Sequence, residues 1–191
     1  IKETLDNVDT TNIDELNVCS DNLKQIITQS KMSDRHISII EKYYHELCNI
    51  FHSENDTLEI AVRSSAVAED LPNASFAGQQ DTYLNVKGIE DVIQNIKKCF
   101  GSLFNVRALS YRNSHNIKLC DVKISVAVQK MVRSDIGSAG VAFSLDPESG
   151  YNKAIVINSS FGLGELVVSG GVKPDEIICN KDTLKIFDAD P

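Results

Sequence analysis

The sequence predicts an α+β fold, with a mostly antiparallel sheet flanked by helices. Three observations lead there. Ile40, Tyr44, Leu47, Cys48 and Phe51 recur at helical spacing, as do Ile89, Val92, Ile93, Ile96, Phe100, Leu103 and Phe104. Val122, Ile124, Val126 and Val128 alternate with Lys123, Ser125, Ala127 and Gln129, the period of a strand with one apolar face. Short apolar runs near 60–62, 82–86, 140–145 and 154–158 are separated by Gly, Pro, Asp and Ser, which suits strands joined by turns.

Taken in order, residues 1–18 are polar and predict irregular chain. Ser20 or Asp21 is a candidate cap for a first helix carrying Leu23, Ile26 and Ile27. Ser33 is the candidate cap of the second. Ile60-Ala61-Val62 predicts a short strand that delivers Arg63 at its end. A loop rich in Ser, Ala and Gly follows, with a turn at Glu69-Asp70-Leu71-Pro72, and closes into Thr82–Val86. The next helix is expected to run about six turns towards Tyr111, with a bend at Gly101. Arg107 and Arg112 on it are assigned to solvent or to a helix C-terminus. Asp135-Ile136-Gly137-Ser138 predicts a hairpin turn that returns residues 140–145 beside the 122–129 strand. Phe161-Gly162-Leu163-Gly164-Glu165 lacks the third glycine and following helix of a dinucleotide fingerprint, so it predicts a tight turn. Strands at 165–169, 176–179 and 184–187 complete the reading.

With 191 residues, the chain can build one good-sized core or two small subdomains. Residues 1–56 are assigned to a helical lead-in and 57–191 to the main functional region. The net charge is −8, and residues 1–60 carry 12 Asp/Glu against 5 Lys/Arg. An acidic chain without a basic cluster excludes nucleic-acid backbone binding as the expected role. No apolar run has the length of a membrane span, so no membrane partner is expected. Five widely spaced cysteines form no CxxC, and four histidines form no ligand pattern. Reduced thiols and a cytoplasmic setting are the expectation. The chain opens with Ile1 and stops at Pro191 beside an apparent strand, which suggests a piece of a longer protein.

Candidate chemistry centres on residues 59–86. Arg63 offers a planar fork of donors for phosphate oxygens. Gly78 and the small residues Ser64, Ser65, Ala74, Ser75 and Ala77 allow backbone N–H groups to approach an anion. Glu69 and Asp70 are candidate metal-directed carboxylates, though caps or solvated loop residues are the commoner role. The Ser125–Ala127 patch can underlie a flat ring, with Gln129 at its edge; the plain alternative is a strand face that meets solvent. Glu165 can meet magnesium or a ribose hydroxyl, but a structural role is the more ordinary one.

The string RSSAVAEDLPNASFAGQQDTYLNV closely resembles the nucleotide-binding domain of the phosphoenolpyruvate synthase (pyruvate, water dikinase) family. That domain has an ATP-grasp fold and is related to those of pyruvate phosphate dikinase and rifamycin phosphotransferase. SLFNVRALSYR, VAVQKMVRSD, SAGVAFSLDPESG and SSFGLGELVVSGGVKPDEIIC resemble later runs of the same family, in the same order, across residues 57–187. Val67 departs from the family, which more often has Thr there. The resemblance implies a partial ATP-grasp domain that binds ATP with Mg2+, with Arg63, Gly78 and Thr82 contacting ATP and Gln129 on the adenine side. It also implies partners in the same full-length chain: a phosphohistidine domain and a pyruvate-binding barrel. The family's acceptor histidine motif is absent from this sequence, and its lysine strand and metal-binding glutamate are expected outside it. A piece of this kind is expected to be inactive alone. A related dikinase with another acceptor, or a non-catalytic nucleotide-binding module, are the alternatives.

Overall fold

The computed structural model describes residues 12–53, 57–66, 70–71, 74–75, 81–114 and 123–190. The chain is α+β, with antiparallel strands only among those paired, and falls into two compact units, Ile1–Met131 and Val132–Pro191.

The first unit opens with helix α1, Ile13–Gln29. It starts earlier than its composition suggests. Asn12 caps it, accepting from the Asp14 and Glu15 amides at 3.0 and 3.4 Å. Asp14 and Glu15 then sit at the positive end of the helix dipole. Ser20, expected as a cap, is instead buried in mid-helix. Leu16, Cys19 and Leu23 pack with Phe104 and Leu109 in one cluster. Helix α2, Asp34–Ile50, begins where expected: the Ser33 hydroxyl accepts from the His36 amide at 3.3 Å.

Strands β1 (Ile60–Ala66), β4 (Thr82–Val86) and β5 (Ile124–Lys130) form a three-stranded sheet with β1 in the middle. Between them in sequence, β2 (Asp70–Leu71) and β3 (Ala74–Ser75) pair antiparallel. Helices cover one face of the three-stranded sheet. Ile60, Val62 and Val86 meet Tyr44 and Cys48 of α2 and Val92, Ile96 and Cys99 of helix α3, Ile89–Gly101. Ile60, Val62 and Val92 are fully buried, each worth about 1.5–3 kcal/mol of removed apolar surface. Tyr44 joins three elements: its hydroxyl donates to the Leu58 carbonyl at 3.5 Å and accepts from the Gly88 amide at 3.0 Å.

The expected six-turn helix is interrupted. After Gly101 the chain tightens into a 3₁₀ turn, Ser102–Phe104, and Asn105 turns extended before helix α4, Val106–Ser114. Arg107 is exposed, but Arg112 is not in solvent; it is 5% exposed. Its guanidinium donates to the Ala108 and Leu103 carbonyls at 3.1 and 2.5 Å and stacks over Phe104. Burial pulls its pKa down to about 10, which leaves it cationic at neutral pH.

The second unit is a four-stranded antiparallel meander: β6 (Ser138–Phe143), β7 (Ala154–Phe161), β8 (Asp175–Asn180) and β9 (Ile186–Asp190). Two expectations fail here. β6 pairs with β7, not with β5. The segment between β5 and β6 is no tight hairpin but a 3₁₀ turn, Ser134–Ile136, with Arg133 paired bidentately to Asp135. Residues 165–169 form no strand. Gly164–Val168 is a short helix, α5. The adjacent Val167 and Val168 favour a strand, but the Ser169, Gly170 and Gly171 amides close back on the carbonyls of Glu165, Val167 and Leu166. Gly170, with φ +71, supplies the left-handed exit. A helix therefore does follow the Gly162-Leu163-Gly164 turn, though one of five residues.

Candidate nucleotide-binding face

The pleat of β1 decides what the open side of the three-stranded sheet displays. Ile60 and Val62 point to the helices, so Ala61, Arg63 and Ser65 point away. Strand β1 continues to Ala66, so Arg63 lies in mid-strand rather than at its end. Ser65, expected in a phosphate loop, belongs to the strand and presents to the open side. Ser64 faces the helices.

Registers on both flanks bring further residues to the same face. Arg63 lies opposite Thr82 on β4 and opposite Ala127 on β5. Ala61 lies opposite Gln129, and Ser65 opposite Ser125, whose hydroxyl donates to the Ser65 carbonyl at 3.3 Å. Direct neighbours of this kind are about 4.5–5.5 Å apart, and diagonal ones about 7–8 Å. Thr82, Arg63 and Gln129 therefore crowd one patch, floored by Ser125 and Ala127, and all five side chains are exposed. Among the described residues no carboxylate forms an ion pair with Arg63. Gly78, Val67 and Glu69 lie outside the described residues.

Beneath this patch, at the entry to β4, Asp81 gathers a polar cluster that its sequence context did not reveal. Its carboxylate accepts from Asn105 Nδ2 at 3.0 Å and from the Tyr83 hydroxyl at 3.1 Å. Its carbonyl accepts from Ser64 Oγ at 3.2 Å and, weakly, from Cys99 Sγ at 3.9 Å. Burial, and then the charge of Asp81, raise the Tyr83 phenol well above its ordinary range. The same two causes push the Cys99 thiol up to about 11. Lys98 lies over the Tyr83 ring at 5.5 Å. The sequence signal for this cluster was only an acid placed just before a strand.

Glu165 sits in the second unit on α5. Among the described residues, no group of three or more His, Cys, Asp or Glu side chains can hold a metal ion. Strands β1, β4 and β5 contain no Asp or Glu, so these residues do not fit a magnesium site. Cys19, Cys99 and Cys179 are free thiols. Among the described residues no helix is long and apolar enough to cross a membrane.

Comparison with known proteins gives a consistent result. A family model described as the pyruvate phosphate dikinase AMP/ATP-binding domain matches residues 1–190. A phosphoenolpyruvate synthase of Helicobacter pylori is 49% identical over 185 residues, 97% of this chain. Proteins of the same name from Deinococcus radiodurans and Escherichia coli are 56% identical over 130 residues and 43% identical over 184. These cover 68% and 96% of this chain. The chain spans only 22%, 17% and 23% of the length of those three relatives.

Proposed function

Because the chain belongs to the pyruvate phosphate dikinase AMP/ATP-binding domain family, we propose that it is the nucleotide-binding part of a phosphoenolpyruvate synthase, built as a partial ATP-grasp domain. In this reading ATP lies along the open face of the β4-β1-β5 sheet. Arg63 pairs with phosphate oxygens, the Thr82 hydroxyl adds a further contact, and backbone amides at Gly78 close over the phosphates. Gln129 reads the edge of the adenine above the Ser125–Ala127 floor. The observation that carries the reading is the shared face of Arg63, Thr82 and Gln129. A cation without a described carboxylate partner, a hydroxyl and an amide side chain converge there on small residues.

Phosphoryl transfer asks a protein mainly for positioning and for compensation of charge. These residues supply both. Arg63 holds the phosphates by charge-assisted hydrogen bonds, and the sheet fixes its direction because both flanks of β1 are paired. The described residues do not supply ligands for magnesium, so no step is assigned to it; in this reading the ion accompanies the nucleotide. In the longer enzyme, a histidine on a separate domain attacks the β-phosphorus of ATP. It takes the pyrophosphoryl group and releases AMP. Hydrolysis frees phosphate, and the remaining phosphohistidine phosphorylates pyruvate to phosphoenolpyruvate on a barrel domain. The 191 residues are thus a binding and orienting module of a cytoplasmic enzyme, without turnover of their own.

The test is Arg63→Ala in the full-length enzyme that this reading implies. Loss of one charge-assisted contact, about 1.5–3 kcal/mol, weakens ATP binding by roughly 10- to 100-fold. ATP-dependent histidine phosphorylation falls with it. Unaltered ATP affinity and phosphorylation rate would overturn the assignment.

A further inference from the structure

The pairing of β4 with β1 contains an irregularity. Ile60 lies opposite Val86, yet Val62 lies opposite Tyr83, so β4 carries one residue more than β1 over the same span. Asn85, at φ +55, sits within that bulge. Register therefore cannot propagate unbroken from the Val86 end to the Arg63–Thr82 pair. A slip by one residue would turn Thr82 towards the helices and Tyr83 out onto the open face. Something at the near end must hold the register that is observed.

We propose that Asp81 is that pin, a positioning residue for the nucleotide site that sets Thr82 opposite Arg63. The inference rests on the nucleotide-binding reading given above. Asp81 directly precedes Thr82, and its side chain lies on the helix side of the sheet, with Tyr83. Its carboxylate binds β4 to itself through the Tyr83 hydroxyl, and to the start of α4 through Asn105. Its carbonyl binds the neighbouring strand through Ser64. Ser64 is the residue next to Arg63, so the pin acts one residue away from each member of the pair it sets. A register slip would break all three bonds together. Asparagine at this position would keep both contacts, its oxygen accepting from Asn105 Nδ2 and its NH2 donating to the Tyr83 hydroxyl, whereas alanine removes both acceptors at once.

The interruption of the α3–α4 region serves the same cluster. Asn105 leaves helical geometry at the break, and from there its amide donates to the Asp81 carboxylate. The break and the pin are thus one arrangement.

The experiment compares Asp81→Ala, Tyr83→Phe and Asn105→Ala with Arg63→Ala in the full-length enzyme. ATP dissociation constants and melting temperatures are measured on each. Asp81→Ala is expected to weaken ATP binding about tenfold, and Tyr83→Phe and Asn105→Ala about threefold each. Tyr83→Phe and Asn105→Ala leave Asp81 in place, so they decide the matter if Asp81→Ala does not fold. A second readout is the Tyr83 phenol, followed by ultraviolet difference absorbance against the Tyr83→Phe background. With Asp81 neutralised it should ionise at lower pH. If Arg63→Ala weakens ATP binding while all three cluster variants lose only melting temperature, Asp81 is purely structural and the inference falls alone. If Arg63→Ala itself leaves binding intact, the nucleotide reading fails first and this inference goes with it.

Discussion

Gly140→Ala isolates one steric demand of the second unit. Gly140 lies on β6 opposite Ser159 of β7. A Cβ added there would press into the Asn158 carbonyl oxygen and come within 2.8 Å of Ser159 Cα and 2.9 Å of Ser159 Cβ. Two of these atoms are backbone. β7 is paired on its other side with β8, so it cannot retreat without breaking that ladder. Overpacking of this kind costs about 1–3 kcal/mol and occasionally more. Each ladder hydrogen bond lost in relieving it adds about 0.5–1.5 kcal/mol. Alanine's smaller unfolded-state entropy returns only about 0.4–1 kcal/mol. We expect a net loss of about 3 kcal/mol, or a midpoint lowered by roughly 6–12 °C for a chain of this size. Thermal unfolding followed by far-ultraviolet circular dichroism measures it. Gly137→Ala is the control: its added Cβ would meet nothing closer than the Arg133 carbonyl at 3.9 Å, and its φ of −152 suits any residue. A Gly140→Ala protein within about 1 kcal/mol of the parent, or a Gly137→Ala protein damaged as much, would refute the steric argument.

Two further outcomes test the first unit. Ser33→Ala removes the hydroxyl that accepts from the His36 amide, and should cost about 0.5–2 kcal/mol in urea unfolding; no measurable change would mean that the cap does not contribute. The buried Cys99 thiol has its folded pKa raised from near 9 to about 11. Its protonated form thus favours the folded state, a contribution fully present below about pH 9 and lost as pH rises towards 11. Cys99→Ala should therefore show a shallower fall in stability across pH 9–11 than the parent, a difference of about 1–2 kcal/mol. Parallel profiles for the two proteins would rule the linkage out.

Several parts of this molecule were legible before any coordinates. The α+β class follows from one period of 3.6 and one of 2, since each period leaves a single apolar face to bury. The Ser33 cap was readable because a cap is a local bond between neighbours. Gln129's side of its strand was readable because alternation alone separates it from Val126 and Val128. Arg112 was readable as a charge for a helix C-terminus, and it does lie in the last turn of α4, but composition does not show the Leu103 and Ala108 carbonyls that hold it out of solvent. The 165–169 segment was misread because two β-branched residues outweighed, on paper, the hydrogen bonds that close a single helical turn.

Strand alternation, a property of the backbone itself, put Arg63 and Ser65 on one face of β1 and separated them from Val62. The neighbours of that face were a tertiary matter. Thr82 reaches Arg63 only through a bulge, and Ala127 and Gln129 only through the pairing of β5 with β1 across about sixty intervening residues. β6 finds β7 rather than β5. Sequence periodicity is written residue by residue, whereas the choice of partner and register is settled by which arrangement buries the apolar faces and satisfies the backbone together.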